Sequence, residues 1–296
     1  MQNIIDLGAD IERLDDEGNT PLLAASQASM MPSIIMETLL EARANANVRD
    51  SEGLAPLAYF IMRGAPRYIS SVSRYPMNYE KCIHELLLDN GADLNMMDAK
   101  GRTPLHFLAA HAQTANGARD LLIRGAHVDP RDHQGNTPLH YVLRPHCPFR
   151  SMAICICLLE YGANPNLLSG DGQSPLHLIL HPKSPARPSP KVIRPRAYSF
   201  RSVCEIFLRN GADSKVVDGQ GKTPLHLLLS GPLLGQDEYG ICVRLLQRGA
   251  DVNARDHLGL TPLGCLAQFL DSGTAVGDLE SVKTTMGLLR EHEAVI

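Results

Sequence analysis

Residues 103–110 read TPLHFLAA, and close copies of this line occur six more times along the chain. The other copies begin at Thr20, Ala55, Thr137, Ser174, Thr223 and Thr261. In six of the seven copies, a hydroxyl residue stands directly before proline. The hydroxyl can accept a hydrogen bond from the first turn of a helix, and proline fits the first helical position. Each copy therefore predicts the start of a helix.

A second line precedes each copy and usually ends in Gly-Ala, as in LLDNGAD at 87–93 and LLQRGAD at 245–251. Glycine at this place suits the left-handed residue that closes many helices. A short turn with Asp and Gly follows, as in ARDHLG at 254–259, and these residues favour turns. The order predicts an inner helix, a connection, an outer helix and then an extended finger that leads to the next inner helix.

The number of residues from the second line to the next TPL line is constant, whereas the number from a TPL line to the following second line varies. Thr103 follows Leu87 by 16 residues, and each of the other six steps of this kind has the same length. The return step varies, from 18 residues between Thr103 and Leu121 to 33 between Ser174 and Phe207. All length variation therefore lies between the inner and outer helices, where insertions are predicted at about 62–80 and 181–200.

The seven units in register resemble the ankyrin repeat, almost from one end of the chain to the other. The resemblance implies a mainly α fold: a solenoid of stacked helix pairs with β-hairpin-like fingers. We expect about seven repeats plus a partial N-terminal one, NIIDLGAD at 3–10, in a single domain over residues 1–296. The closing GLLREHEAVI at 287–296 places His292 where the glycine would stand and is predicted to cap the array.

The composition of the chain indicates the cellular compartment and the classes of partner to expect. The chain is 44% hydrophobic with a formal net charge of −4, which permits a buried core and gives no overall attraction to nucleic acid or anionic membranes. It contains no run of 18 apolar residues, and its first residues lack the features of a secretory signal. Seven cysteines without such a signal favour a reducing compartment. We expect a monomer in the cytoplasm or nucleus that is not secreted and binds neither nucleic acid nor membrane.

The repeated histidines are candidates for catalytic or metal-binding residues. The fourth place of the TPLH line is taken by His106, His140, His177 and His226. The resemblance implies that these histidines make structural hydrogen bonds within and between repeats. His177 and His181 have a spacing that suits two zinc ligands on one helix face, but no third ligand is indicated.

Three cysteines share one place on successive outer helices, namely Cys155, Cys204 and Cys242. Stacked helices lie about 8–10 Å apart, which is too far for a disulfide or a shared zinc ion. We expect these thiols to fill the core. The chain also carries no phosphate loop, dinucleotide motif or HExxH line. The sequence therefore predicts no catalytic residue, metal or cofactor.

The resemblance implies that partners contact the finger tips and the exposed side of the inner helices. In the central repeats these positions are mostly basic, whereas the first finger carries Asp15, Asp16 and Glu17. We predict a groove with an acidic N-terminal end and a basic middle that binds a protein with an acidic segment. Its candidate contact residues are Arg49, Arg63, Met97, Lys100, Arg102, His111, Arg131, His133, Asn136 and Arg144.

The function expected from these observations is a non-catalytic protein–protein interaction scaffold that also uses its inter-helix insertions. One alternative is an enzyme or small-molecule binder, with a pocket where an insertion covers the inner helices. Another is the ankyrin part of a longer multidomain protein. Within the second insertion, PKSPAR at 182–187 fits a PxxP ligand, and Ser184 and Ser189 precede proline as candidate phosphorylation sites.

Overall fold

The described parts of the chain are helical, and no strand occurs among them. The computed structural model describes residues 8–28, 32–63, 83–111, 115–144, 152–181, 199–231, 235–271 and 279–295. The chain divides into two compact units, Met1–His133 and Gln134–Ile296, here called unit 1 and unit 2. The bulk of both predicted insertions, and the start of the predicted partial repeat, lie outside the described residues.

Unit 1 contains three helix pairs within its described ranges. They are α1 (Pro21–Gln27) with α2 (Pro32–Glu41), α3 (Pro56–Arg63) with α4 (Ile83–Asp89), and α5 (Pro104–His111) with α6 (Asn116–Ile123). The inner helices α1, α3 and α5 pack against one another in order, and the outer helix α2 packs against α4. Each inner helix also contacts its own outer helix, so the apolar faces of the pairs form a continuous core within the unit.

Unit 2 contains four helix pairs within its described ranges. They are α7 (Pro138–Val142) with α8 (Met152–Glu160), α9 (Pro175–Leu180) with α10 (Phe200–Arg209), α11 (Pro224–Leu229) with α12 (Gln236–Gln247), and α13 (Pro262–Asp271) with α14 (Leu279–Glu291). The inner helices α7, α9, α11 and α13 pack in sequence. Among the outer helices, α10 packs against α12 and α12 against α14. The predicted alternation of inner and outer helices is confirmed in both units.

The inner helices begin at the predicted residues. Thr20 is extended and its Oγ1 accepts a hydrogen bond from the backbone N–H of Leu23 at 3.3 Å. Ser174 does the same for His177, and the backbone N–H of Ser174 donates to Nδ1 of His177 at 3.2 Å. These reciprocal bonds satisfy donors that an uncapped helix start would leave unpaired. The repeated line with Thr or Ser before Pro therefore starts a helix as predicted, because the hydroxyl caps the first turn.

The outer helices end in a left-handed residue. Gly91 has a φ of 82° and is followed by a hydrogen bond from Ala92 N–H to the Leu87 carbonyl at 2.9 Å. At the end of α14, the equivalent bond runs from Ala294 N–H to the Leu289 carbonyl at 3.0 Å, which makes Glu293 the left-handed residue with a φ of 61°. The placement of His292 at the glycine position was therefore wrong by one residue. Leu289, and not Leu288, takes the place that Leu87 has in the earlier repeat. Its side chain is fully buried, whereas that of Leu288 is half-buried.

The cysteines at the shared outer-helix place are core residues. Cys155, Cys204 and Cys242 are all buried, and none of them forms a disulfide. Burial raises the pKa of the Cys242 thiol to about 12 and also raises that of Cys155. Both thiols therefore stay protonated at neutral pH and are poor nucleophiles. This confirms that they fill the core. Cys82 and Cys147 lie outside the described residues.

Candidate protein-interaction surface

Five of the fingers are tight turns held together by the side chain of an aspartate at the first residue. In the third finger, Asp98 N–H donates to the Arg102 carbonyl and Gly101 N–H donates to the Asp98 carbonyl, both at 3.0 Å. One carboxylate oxygen of Asp98 accepts from the backbone N–H groups of Lys100 at 2.9 Å and Arg102 at 2.7 Å. The side chain thus fixes the turn by bonding two backbone donors. The same arrangement occurs at Asp15, Asp50, Asp218 and Asp256.

Hydrogen bonds between backbones join neighbouring fingers of unit 1. Ala99 N–H donates to the Glu52 carbonyl at 2.8 Å, and His133 N–H donates to the Lys100 carbonyl at 2.9 Å. Gly101 permits the second contact, because a Cβ atom there would lie 2.7 Å from Cδ2 of His133. The tips of the second, third and fourth fingers are therefore one hydrogen-bonded row.

Five of the predicted contact residues lie exposed along this row, and we call them the finger-tip surface: Arg49, Met97, Lys100, Arg131 and His133. Met97 has 46% of its surface exposed, which is high for a large apolar side chain. Arg49 reaches across to the next finger, where its guanidinium donates to the Met97 carbonyl at 3.4 Å. The structure thus brings these five residues together within unit 1.

Arg102 is bound differently from the other predicted cations. Its guanidinium pairs with the second carboxylate oxygen of Asp98, at 2.6 Å from one terminal nitrogen and 2.8 Å from Nε. The Asp98 side chain is only 3% exposed, and the Arg102 guanidinium also lies 4.6 Å from the centre of the Phe107 ring. A charge held by a buried carboxylate and a ring is largely balanced within the protein. Arg102 therefore supports the finger, and its charge adds little to the basic middle.

His111 also adds little positive charge at neutral pH. It is exposed at the end of α5. Partial desolvation and the neighbouring Arg102 lower the pKa of His111, and both effects disfavour the charged imidazolium. The basic character of the surface in unit 1 therefore rests on Arg49, Lys100 and Arg131.

The remaining predicted residues lie elsewhere. Arg63 is the last residue of α3, and its side chain is outside the described part of the structure. Asn136 and Arg144 belong to unit 2 and are half-buried. The Asn136 amide lies 3.5 Å from the Gln134 side-chain oxygen, and the Arg144 guanidinium lies 3.8 Å from the centre of the Tyr141 ring.

A polar network on the inner helices of unit 1 was not predicted from the sequence. The Tyr59 hydroxyl donates a hydrogen bond to the Asp50 carboxylate, and Gln27 donates to the Tyr59 oxygen at 3.3 Å. Gln27 also donates to the Asn19 side-chain oxygen at 3.3 Å. Burial and the Asp50 hydrogen bond raise the pKa of Tyr59, so its hydroxyl stays protonated and can act as the donor. This network fixes polar groups beside the first two fingers, which a single repeat line does not reveal.

The repeated histidines are framework groups. The side chain of His177 is fully buried, and its Nε2 lies 3.0 Å from the Lys222 carbonyl oxygen of the next finger. Because Nδ1 accepts the Ser174 N–H, Nε2 must carry the proton and donate. Both ring nitrogens are thus used inside the protein. The same inter-repeat bond joins His140 to Gln173 and His226 to Leu260.

Among the described residues, a small cavity lies in unit 1. This cavity, bordered by Leu57, Met96 and Phe107, has a volume of about 10 Å³, which is close to the room that one water molecule needs. Within the described ranges, no three metal-ligating side chains come together. A pocket covered by an insertion would involve residues 64–82 or 182–198, which lie outside the described part of the chain.

Paired helices linked by hydrogen-bonded fingers define a helical-repeat protein. Comparison with family models identifies the repeat: a model described as three copies of ankyrin repeats matches residues 71–167, and a single ankyrin-repeat model matches residues 220–257. The chain therefore contains ankyrin repeats in these two stretches. Ankyrin repeats typically mediate protein–protein interaction.

Solved structures agree on the fold. The ankyrin-repeat domain of Bcl-3, described as a unique member of the IkappaB protein family, is similar with a TM-score of 0.58 and 20% identity, over 86% of this chain and 100% of that one. An ankyrin-repeat domain from Acinetobacter baumannii AYE has a TM-score of 0.54 and 24% identity, over 71% of this chain and 90% of that one. A comparison with curated protein sequences finds no significant match. Among the described helices, none has the length and apolar character that crossing a membrane requires.

Proposed function

We propose that this protein is a non-catalytic scaffold that binds another protein through the finger-tip surface of unit 1. The observation that carries the proposal is the hydrogen-bonded row, in which Ala99 N–H bonds the Glu52 carbonyl and His133 N–H bonds the Lys100 carbonyl. The row holds exposed side chains at fixed positions before any partner arrives. A surface ordered in advance loses less conformational entropy on binding, which favours affinity.

The charges exposed along this surface favour a partner with an acidic segment. Arg49, Lys100 and Arg131 are exposed, and they outnumber the exposed Glu52 of the same row. The finger aspartates Asp98 and Asp132 are only 8% and 7% exposed, so they are less accessible to a partner. Exposed basic groups bind carboxylates with charge-assisted hydrogen bonds and steer acidic partners toward the surface. The exposed Met97 supplies an apolar contact within the same row.

The test compares two exposed cations of unit 1. Lys100→Glu reverses the charge at the centre of the finger-tip surface, and Arg43→Glu reverses a charge in the turn after α2. Proteins captured from a cell extract are quantified by mass spectrometry for the wild type and both variants. We expect at least one partner to be retained by the wild type and by Arg43→Glu but to fall about tenfold or more with Lys100→Glu. Equal recovery of every partner by all three proteins would contradict the proposal.

We further infer that the protein forms one domain and acts as a monomer in the cytoplasm or nucleus. Buried thiols that form no disulfide, such as Cys155 and Cys242, support a reducing compartment. Sedimentation of the purified protein tests the monomer, and a mass well above 32.3 kDa would contradict it. A single cooperative unfolding transition is expected for one domain, whereas two separated transitions would contradict that part.

A further inference from the structure

One face of the outer helix α10 carries a row of charged residues. Arg201, Glu205 and Arg209 are spaced four residues apart, so they lie on the same side of the helix. The side chains of the two arginines are 44% and 74% exposed, whereas that of Glu205 between them is 23% exposed. The row therefore presents two cations to solvent around one more enclosed carboxylate.

A third arginine joins this row from the next outer helix. Helix α12 packs against α10 in unit 2, and Nε of Arg244 lies 3.8 Å from the Glu205 carboxylate. The Arg244 side chain is 49% exposed. Three guanidinium groups thus surround one carboxylate, which leaves a formal charge of +2. We call Arg201, Arg209, Arg244 and Glu205 the arginine cluster.

The single carboxylate does not occupy the donors of the three arginines. Arg201 donates from Nε to Glu205 at 3.0 Å, but the closest nitrogens of Arg209 and Arg244 lie 3.8 Å from the same carboxylate, beyond hydrogen-bond distance. Arg244 uses one terminal nitrogen to bond the Gln247 side chain at 3.2 Å. Because each guanidinium has five N–H donors, most donors of the cluster remain available to an external anion.

The backbone of α12 is shaped to hold one of these arginines. Gly240 lies inside the helix, where a Cβ atom would be 2.8 Å from a terminal nitrogen of Arg201 and 2.9 Å from its Cζ. Glycine is a poor residue inside a helix, so its presence needs a local reason. Here it lets the Arg201 guanidinium lie directly against the neighbouring helix. The cluster therefore has a fixed member in addition to the more exposed Arg209 and Arg244.

We propose that the arginine cluster binds a phosphorylated serine or threonine side chain of another protein. A phosphate monoester carries a charge of about −1.5 to −2 at neutral pH, which matches the +2 of the cluster better than a single carboxylate does. Its three oxygens accept several N–H donors at once, and guanidinium forks suit that geometry. The site lies on the outer helices of unit 2 and uses none of the finger-tip residues, so it would be a second interaction surface.

The test measures binding of the full chain to a peptide library with one central phosphoserine and no other acidic residue. The same library with unmodified serine is the reference. We expect clear binding of the phosphorylated library and about tenfold or more weaker binding by Arg244→Gln. Arg290→Gln, which changes an exposed arginine of α14, is the matched control and should bind like the wild type. Equal binding of both libraries, or equal losses in both variants, would overturn the proposal.

A second variant separates the proposal from misfolding. Glu205→Gln keeps an oxygen that can accept from Arg201 but removes the negative charge that competes with phosphate. We expect this variant to bind the phosphorylated library several-fold more tightly, a gain that a damaged fold would not produce. Unchanged or weaker binding by Glu205→Gln would overturn the proposal. So would tighter binding to vesicles with phosphoinositide headgroups than to the peptide library.

Discussion

His177 and Lys222 are joined by a hydrogen bond from the imidazole Nε2 to the backbone carbonyl at 3.0 Å, across 45 residues of sequence. The same imidazole accepts the Ser174 N–H through Nδ1, so one buried ring ties a helix start to the finger of the next repeat. The bond gives the Lys222 carbonyl a hydrogen-bond donor at the place where two repeats meet. The TPLH line is therefore a device for joining repeats as well as for starting helices.

Removing this imidazole should weaken the whole of unit 2. His177→Ala leaves the Lys222 carbonyl and the Ser174 N–H without their partner and opens a cavity in the core. We expect the free energy of unfolding to fall by about 2–4 kcal/mol, measured by urea denaturation. His292→Ala, at an exposed position, is the control and should change stability by less than about 0.5 kcal/mol. A similar small effect from both variants would show that the inter-repeat bond contributes little.

The framework histidines also predict a pH dependence. Burial is the main cause that lowers the pKa values of His177 and His226. An unfolded histidine titrates near pH 6.5, so below that pH the unfolded chain binds more protons than the folded one. The histidine contribution to stability is therefore fully present above about pH 6.5 and is lost as the pH falls below it.

Denaturation at pH 7.5 and pH 5.5 measures this effect. The free energy of unfolding should be lower at pH 5.5, and the difference should shrink in His226→Ala because one titrating framework group is gone. A wild-type stability that is the same at both pH values would rule out the proposed role of these rings.

Substituting two glycines distinguishes the energetic cost of a left-handed backbone from the cost of a clash between neighbouring fingers. Gly18 and Gly101 occupy the same place in their fingers, with φ values of 81° and 77°. A Cβ at Gly18 meets nothing within 4 Å, whereas at Gly101 it meets the His133 ring and backbone. Gly18→Ala should therefore cost about 1–2 kcal/mol from the backbone alone, and Gly101→Ala should cost more. Thermal unfolding measures both, and equal losses would mean that the neighbouring finger moves aside freely.

Arg102 should behave as a structural residue. Arg102→Glu would place a carboxylate against the buried Asp98 that Arg102 now pairs with. We expect a loss of about 2–4 kcal/mol in the free energy of unfolding, whereas Lys100→Glu, two residues away and exposed, should leave stability nearly unchanged. Urea denaturation compares the two. If Arg102→Glu were as stable as Lys100→Glu, the ion pair would not support the finger.

Much of the fold follows from the sequence because its determinants are local. The caps at Thr20 and Ser174, the left-handed Gly91 and the framework His177 each act within one repeat or between adjacent ones. The register at the last helix did not follow, since two adjacent leucines fit the pattern and only packing distinguishes Leu289 from Leu288.

The surface was less predictable because charge depends on neighbours. A finger arginine such as Arg102 looks exposed in the sequence, but the turn folds it back onto Asp98. The spacing of Arg201, Glu205 and Arg209 was visible, yet Arg244 joins them only through the packing of α12 on α10. Ion pairs between helices therefore cannot be predicted from the repeat pattern and become evident only in the structure.

The central claim is that the finger-tip surface of unit 1 binds the partner. Hydrogen–deuterium exchange of the full chain, with and without a captured partner, measures it most directly. We predict slower exchange on binding at residues 97–102 and 131–133, with little change in the turn after α2 at 42–45. Protection confined to the outer helices, or no protection at the finger tips, would contradict the claim.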